Sequence, residues 1–180
     1  MMTLLEILKQ YRVTSDYGPR IDPITGKPGA IHSGVDLVGK EVNDPIESFT
    51  EGDVIYSNDT HPGTGLGNYG WVVLVKDRNG MVHLYAHLQK QSLKVNVGDH
   101  VVTGQHLGIM GSTGRSTGKH LHYEVRTTDH PSWGCGLHTN PLRYLEKLCK
   151  DSWTYYNGQG RQDKCNEVHQ TAEYIRSMIA

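Results

Sequence analysis

Two histidines separated by one leucine stand in the stretch TGKHLHYEV, residues 117 to 125. In a β-strand, side chains two positions apart point to the same face, so His120 and His122 would both face one groove. One imidazole can then hold a metal ion while its neighbour stays free to move a proton. Alternating polar residues on a solvated strand give the same spacing, so this pair needs support from elsewhere in the chain.

A second group of ligand-type side chains stands in HSGVDL, residues 32 to 37. His32 and Asp36 are four positions apart around Gly34, in a stretch too rich in glycine to favour a helix. A loop here can turn both side chains toward one point, and imidazole nitrogen and carboxylate oxygen both suit zinc. With His122 they make three protein ligands and leave a fourth tetrahedral position for water, which is typical of catalytic zinc sites. The alternative is that Asp36 caps a turn and His32 is a surface imidazole.

The segment MVHLYAHL, residues 81 to 88, provides a candidate for a second free imidazole. If the segment is a strand, His87 shares a face with Tyr85 and His83 and lies where the chain turns outward. His83 and His87 also have the H-x-x-x-H spacing of a helical ligand pair, but the residues around them favour a strand, and the glutamate of H-E-x-x-H is absent. We therefore interpret His83 as structural or peripheral and His87 as the candidate proton carrier.

Two glycine-rich stretches resemble nucleotide-binding loops but lack the context that such loops need. GLGNYG, residues 65 to 70, fits G-x-G-x-x-G, yet the strand-like WVVLV follows where a helix is required. GSTGRSTGK, residues 111 to 119, has Thr113 where a phosphate loop needs its first glycine. Both stretches are interpreted as turns.

Short β-type runs must position these residues. They occur at 52–57, 70–77, 81–88, 92–97, 100–103, 106–110 and 120–127. Because no helical pattern lies between them, they predict a mainly β fold, an antiparallel sheet arranged as a sandwich or a barrel-like groove. Residues 15–30 are rich in glycine and proline and are expected to be loop.

Helical patterns occur near the two ends and predict short terminal helices. Residues 3–11 have apolar side chains at helical spacing behind Thr3, a capping residue. Residues 142–148 predict one or two helical turns, residues 149–165 are expected to be irregular, and a last amphipathic stripe contains Val168, Ala172, Ile175 and Ile179. The predicted organisation is an N-terminal helix packing on the domain in 1–14, the zinc-binding domain in 15–146 and a C-terminal extension with an amphipathic helix in 147–180.

Composition argues against several classes of partner. The net charge of −1 and the absence of a basic run argue against nucleic acid. No apolar run approaches the ~20 residues that span a bilayer, and the first residues lack the pattern of an export signal. Cys135, Cys149 and Cys165 are odd in number and show no C-x-x-C spacing, which argues against a disulfide framework and leaves one pair open.

Four segments follow one another along the chain: HSGVD, YAHL, VNVGDHVVTGQHLGIMGSTGRSTGKHLHYEV and NPLRYL. In this order they resemble the lysostaphin/LytM-type zinc endopeptidases, which hydrolyse peptide bonds in bacterial peptidoglycan. The likeness runs from about Ser15 to Leu145. It implies a β groove like a duplicated hybrid motif, with one zinc ion and a catalytic pair. The implied ligands are His32, Asp36 and His122, as ligand chemistry also indicates, and the implied catalytic pair is His87 and His120.

The implied reaction is metal-assisted hydrolysis of a peptide bond. Zinc lowers the pKa of water toward ~7 and polarises the carbonyl group. One of His87 and His120 takes the proton of the water and later serves the leaving amine, while the other donates to the oxyanion. Tyr17 and Arg20 precede the first ligand and are candidates for holding substrate, with turn scaffolding as the alternative. The family commonly has proline before H-L-H, where Lys119 stands here and adds a positive charge at the groove edge.

Two other functions are compatible with this pattern. A metal-free relative could bind peptidoglycan or a partner enzyme without cutting, although all five expected side chains are present. A histidine phosphocarrier of the glucose-permease type has a similar fold, but it would leave Asp36 without a purpose.

A peptidoglycan substrate places the activity at the bacterial cell wall. Three settings fit a sequence without an export signal: a holin-released phage lysin, an enzyme associated with the virion tail, and a secreted enzyme whose signal has been removed. We expect one of the two phage settings. Residues 58–70 and 128–140 are candidate groove walls, but neither has a readable code for the peptide bond that is cut.

Overall fold

Antiparallel strands dominate the structure, a computed structural model that describes residues 2–39, 44–60, 66–127 and 137–179. In the first half of the chain the strands are β1 (Tyr11–Ser15), β2 (Gly18–Arg20), β3 (Ala30–His32), β4 (Val35–Gly39), β5 (Pro45–Glu47) and β6 (Gly52–Asp59). They are followed by β7 (Trp71–Lys76), β8 (Val82–Leu88), β9 (His100–Val101), β10 (His106–Ile109), β11 (Leu121–Arg126) and β12 (His138–Thr139). The helices are α1 (Leu4–Leu8), α2 (Pro141–Gly158) and α3 (Gln162–Met178).

One large sheet has the strand order β1-β4-β11-β8-β7-β6-β9, with β12 also paired to β11. The strands β10 and β5 form one separate ribbon, and β2 and β3 form another. All of these pairs are antiparallel. The prediction of a mainly β, antiparallel fold is therefore confirmed.

The centre of the large sheet is buried on both faces. All seven residues of β8 are buried. Tyr85 and Tyr123 belong to the main core on one face, whereas Leu84 and Ala86 belong to a smaller apolar cluster on the other. Because side chains alternate along a strand, the even-numbered residues of β11 lie on the face of this smaller cluster.

The N-terminal helix is shorter than its apolar pattern predicts. Thr3 caps α1, and Glu6 completes a capping box by accepting a hydrogen bond from the Thr3 backbone at 2.8 Å. The helix ends at Leu8, and Tyr11 begins β1, which pairs with β4 at the edge of the large sheet. The predicted boundary after residue 14 therefore falls inside a strand.

The C-terminal region is more helical than the sequence suggests. Residues 149–165 were expected to be irregular, but most of them are helical, so this expectation is wrong. The terminal helices were expected to be short, which holds for α1 with 5 residues, whereas α2 has 18 residues and α3 has 17. Asn140 caps α2 by accepting a hydrogen bond from the backbone of Arg143 at 3.1 Å. Packing of the two helices on one another, with Cys149 and Cys165 buried, outweighs the polar composition of the segment. The predicted boundary at 146/147 lies inside α2.

Two other local predictions are also wrong. Residues 92–97 do not form a strand, although the buried Val95 accepts a hydrogen bond from Ser57 through its carbonyl at 2.6 Å. Their β-type composition is explained by the burial of Val95, because these residues form no ladder with a neighbouring strand. Residues 15–30 were expected to be loop but contain β2, which pairs with β3.

Two findings concern the possibility of membrane-spanning helices and the state of the cysteines. No helix in the described ranges is long and apolar enough to cross a bilayer. Cys149 and Cys165 are free thiols, and Cys135 lies outside the described residues.

Candidate metal centre

The register of the large sheet places the first two candidate ligands side by side. His122 of β11 is paired with Asp36 of β4 on one side and with Ala86 of β8 on the other. Directly paired residues of neighbouring strands point to the same face, so both ligand side chains lie on one surface of the sheet. Asp36 was predicted in a loop but belongs to a strand.

His32 reaches the same surface through a tight turn. It ends β3, and the chain returns in β4 after Ser33 and Gly34. A Cβ atom on Gly34 would lie 2.4 Å from the carbonyl oxygen of Tyr123 and 2.8 Å from Cγ of Glu124. Only glycine lets this turn approach β11 so closely.

The three candidate ligands converge on a common point. Nε2 of His32 lies 3.1 Å from Oδ1 of Asp36 and 3.1 Å from Nδ1 of His122, and these last two atoms are 2.9 Å apart. Around a tetrahedral zinc ion with bonds of ~2.0–2.1 Å, neighbouring ligand atoms lie roughly 3.3 Å apart. The donor set and its spacing therefore suit such an ion.

The four histidines of the site each use one ring nitrogen outside the centre. Nδ1 of His32, His87 and His120 lies 2.7, 2.7 and 2.8 Å from the backbone carbonyls of Asp16, Thr113 and Gly118 respectively. Nε2 of His122 lies 2.8 Å from the carboxylate of Glu124. Because these partners only accept hydrogen bonds, the contacting nitrogen carries the proton, and the other nitrogen keeps a lone pair for a cation or a proton.

A backbone irregularity carries His87 to the site. Strict alternation along β8 would put His87 on the face of Tyr85 and His83, away from His122. At His87, however, φ is 62°, and its ring centroid lies 4.9 Å from that of His120 and 5.7 Å from that of His122. The prediction that His87 shares a face with Tyr85 and His83 is therefore wrong.

Hydrogen bonds hold this unusual conformation of His87. Its backbone N–H donates to the carbonyl of Tyr69 at 2.9 Å, and its ring donates to the carbonyl of Thr113. Left-handed backbone in a residue other than glycine costs ~1–3 kcal/mol and persists where surrounding contacts impose it.

Burial and hydrogen bonds shape the charges of the site. Burial alone would raise the pKa of Asp36, but hydrogen bonds with His120, His122 and His32 hold it well below its ordinary value. Burial disfavours the charged form of His122, yet contacts with Asp36 and Glu124 raise its pKa to about 9. Burial, followed by the nearby His122 and His120, lowers the pKa of His87 to about 4.

Arg20 also reaches the ligand set. Its Nη1 donates to Oδ2 of Asp36 at 3.0 Å and to the hydroxyl of Ser15. Arg20 therefore orients the carboxylate of Asp36, whose other oxygen faces the candidate ligands His32 and His122.

Three other side chains considered in the sequence lie away from the ligand atoms. The hydroxyl of Tyr17 contacts Nδ1 of His138 at 3.0 Å, and Lys119 pairs with Asp44 at 3.3 Å. His83 is fully buried between Tyr123 and Asp77, which agrees with the structural one of its two interpretations.

The sequence reasoning missed a buried carboxylate behind the ligands. Glu124 is fully buried, and its carboxylate contacts His122, Ser33, Tyr69 and Arg126. Burial raises its pKa, but the contacts with His122 and the charge of Arg126 lower it below the ordinary range. A signal was present, because Glu124 follows His122 by two positions and so shares its face.

A groove of about 280 Å³ opens over the centre. Its walls include the ligands, His87 and His120, and an ion pair between Arg115 and Asp22 at 3.1 Å crosses one side. Of the loops predicted to shape the groove, residues 61–65 and 128–136 lie outside the described residues.

Comparison with known sequences decides the family. The profile described as peptidase family M23 matches residues 30–133, which contain the three candidate ligands, His87 and His120. The chain belongs to peptidase family M23. This confirms the resemblance to lysostaphin/LytM-type enzymes.

Relatives and solved structures agree with the family. The M23 chain is 37% identical over 131 residues to the peptidoglycan DD-endopeptidase ShyC of Vibrio cholerae. The aligned region covers 72% of this chain and 26% of ShyC. It thus spans about a quarter of the length of the curated relatives it matches. The catalytic domain of the antimicrobial peptidase lysostaphin from Staphylococcus simulans superposes with a TM-score of 0.63 and 27% identity, over 77% of this chain and 95% of that domain. A zinc-containing peptidase from Vibrio cholerae gives a TM-score of 0.53 and 34% identity, over 65% of this chain and 34% of that one.

Proposed function

We propose that this M23 chain is a zinc-dependent endopeptidase that hydrolyses peptide bonds in the stem peptides or cross-bridges of bacterial peptidoglycan. The observation that carries the proposal is the convergence of His32 Nε2, Asp36 Oδ1 and His122 Nδ1. Similarity to a peptidoglycan DD-endopeptidase supports the substrate, and similarity to a zinc-containing peptidase supports the metal.

The proposed ligands of one zinc ion are His32, Asp36 and His122. Bound zinc supplies Lewis-acid polarisation of the scissile carbonyl and a nucleophilic water near neutral pH. The surrounding chain keeps the ligands oriented: Asp16 and Glu124 accept the outer protons of the two histidines. Such outer contacts fix which ring nitrogen stays free to bind.

His87 and His120 are the proposed catalytic pair. Their ring centroids lie 4.9 Å apart, and Nδ1 of each ring donates to a backbone carbonyl, so the lone pair of each neutral ring is on Nε2. Nε2 of His120 lies 3.5 Å from Oδ1 of Asp36. One of them accepts the proton of the attacking water on Nε2 and delivers it to the leaving amine, while the other, protonated on both ring nitrogens, donates a hydrogen bond from Nε2 to the oxyanion. The roles of the two rings within the pair stay open.

The site favours hydrolysis over the two alternative functions. In a phosphocarrier Asp36 would have no function, whereas here its Oδ1 lies within 3.5 Å of nitrogens of His32, His120 and His122. For a non-cutting relative, the retention of two oriented imidazoles beside the ligand set would serve no purpose.

The proposed place of action is the bacterial cell wall. A phage setting, as a holin-released lysin or a virion-associated enzyme, stays a prediction. So does the division into a zinc-binding domain and a C-terminal extension.

Digestion of purified cell walls tests the function. We expect the protein to carry about one zinc ion and to release peptide fragments with new amino groups, identified by mass spectrometry on walls of several chemotypes. A chelator should stop the release and added zinc should restore it. Release that persists in the metal-free protein, or a zinc-loaded protein inactive on every wall type, would contradict the proposal.

A further inference from the structure

The zinc-ligand candidate His122 rests on a buried network. The carboxylate of Glu124 lies 2.8 Å from Nε2 of His122 and accepts hydrogen bonds from the hydroxyl of Tyr69 at 2.7 Å and from Nε of Arg126 at 2.7 Å. Ser33 donates to the same carboxylate. The carboxylate and its charged partner are both buried, since Glu124 is 0% exposed and Arg126 is 5% exposed.

The hydroxyl of Tyr69 has its direction fixed within this network. Nη2 of Arg126 donates to it at 2.7 Å. A guanidinium group only donates, so the hydroxyl accepts from Arg126, and its own hydrogen is directed to Glu124. The hydroxyl therefore closes a ring of three hydrogen-bonded side chains behind His122.

The backbone of Tyr69 reaches the other half of the site. Its carbonyl accepts a hydrogen bond from the backbone N–H of His87 at 2.9 Å, where His87 adopts its left-handed conformation. Tyr69 belongs to the glycine-rich stretch at 65–70 whose motif carries no nucleotide-binding context. Tyr69 thus contacts both Glu124, the hydrogen-bond partner of His122, and the backbone of His87.

We infer that Tyr69 is a positioning residue. The hydroxyl of Tyr69 holds Glu124, which in turn holds His122 in the ligating orientation. The backbone carbonyl of Tyr69 fixes the backbone of His87. Loss of the hydroxyl would leave Glu124 with one donor fewer and Arg126 with one acceptor fewer in a buried site, where unpaired polar groups are costly. The carboxylate is then free to shift, and the ring of His122 shifts with it. Loss of a partner that contacts a ligand directly, as Glu124 contacts His122, typically changes metal affinity ~10–100-fold, so loss of the Tyr69 hydroxyl is expected at the lower end of that range.

This inference rests on the proposed ligand set, and zinc affinity without substrate tests it. The variant Tyr69→Phe keeps the ring and the carbonyl and removes only the hydroxyl. Its matched control is Tyr144→Phe, which removes a hydroxyl that donates to the buried carboxylate of Asp77 at 2.6 Å, outside the candidate metal centre. Competition with a chelator should show zinc binding roughly 10-fold weaker in Tyr69→Phe and changed less than twofold in Tyr144→Phe.

A second variant and a spectroscopic signal separate positioning from general stability. Glu124→Gln should weaken zinc binding at least as much as Tyr69→Phe, and the Nε2 proton of His122 should exchange with solvent faster in both variants by NMR. Equal zinc affinities of wild type and Tyr69→Phe, or equal losses in Tyr69→Phe and Tyr144→Phe, would overturn this inference alone. A wild-type protein that binds no zinc would overturn the proposed function and this inference with it.

Discussion

Asp36 and His122 are direct cross-strand partners, and Oδ1 of Asp36 lies 2.9 Å from Nδ1 of His122. Backbone pairing in the middle of a sheet buried on both faces therefore sets the distance between two of the three proposed ligands. The third, His32, arrives through a turn that only glycine allows.

The five histidine and aspartate side chains of the site divide into two groups by their expected effects. Replacing His32, Asp36 or His122 with alanine should release zinc and abolish hydrolysis. Replacing His87 or His120 should keep zinc and lower the rate ~10²–10⁴-fold, the usual contribution of a general acid or base. Elemental analysis and wall digestion on the same preparations measure both effects. Loss of zinc in His87→Ala with retention in His122→Ala would reverse the assigned roles.

Gly34 should tolerate no side chain. In Gly34→Ala the new methyl group would meet the carbonyl of Tyr123 and the side chain of Glu124, so the turn that carries His32 must move. We expect a loss of ~1–3 kcal/mol in the free energy of unfolding, the typical cost of overpacking, together with weaker zinc binding. Chemical denaturation and chelator competition measure the two effects. The control Gly158→Ala has open space around its Cβ and should be at least as stable as the wild type; a Gly34→Ala protein equally stable would contradict the close approach.

The left-handed backbone at His87 should discriminate between substitutions of similar size. Asparagine tolerates positive φ, whereas a β-branched residue does not. The free energy of unfolding of His87→Asn should therefore be ~1–3 kcal/mol higher than that of His87→Val. Urea denaturation of the two variants gives this difference directly, and both should show the same loss of rate as His87→Ala. Equal stabilities would argue against the conformation that brings His87 to the site.

Stability should fall in mild acid because of His83. Burial lowers the pKa of His83 below its ordinary value, although Asp77 acts in the opposite direction, and Tyr123 and Tyr144 also contact the ring. The folded protein therefore binds fewer protons at this site than the unfolded chain, whose histidine titrates near ~6.5. Unfolding becomes easier as the pH falls below that value. The free energy of unfolding should drop less between pH ~7.5 and ~5.5 in His83→Gln than in wild type, and identical dependence would refute this cause.

The C-terminal helices should contribute to the free energy of unfolding without affecting zinc binding. Ile175 of α3 is fully buried in the main core, so Ile175→Ala should cost ~2–5 kcal/mol. Zinc affinity should stay unchanged in that variant. Val97, which is 64% exposed, offers the control Val97→Ala with little expected loss. Thermal or chemical unfolding measures the cost, and a zinc affinity that fell with Ile175→Ala would link this region to the site.

The candidate site was largely accessible to sequence reasoning because alternation along a strand is a strong rule. It placed His120 and His122 beside one groove, and it would also have found Glu124 two positions further on. It failed at His87, where one positive φ reverses the expected face. Periodicity contains no information about such a local reversal, which depends on acceptors in Tyr69 and Thr113 that are distant in sequence.

Elements with a long apolar pattern were predicted correctly, whereas elements that depend on tertiary contacts were missed. The strands β6, β7, β8 and β11 fall on the predicted runs, whereas α2 continues through a polar segment because one of its sides packs on α3. The strand β10 also falls on a predicted run, at 106–110, whereas its partner β5 and the ribbon β2-β3 contain too few residues for a pattern to emerge.

The pairing of β4 with β11 has a consequence for how such a domain can diversify. Backbone hydrogen bonds set the separation of Asp36 and His122, so insertions in the connections around the sheet would leave that separation unchanged. Lineages could therefore exchange those connections, and with them the shape of the groove, while the geometry of the proposed ligands is inherited intact.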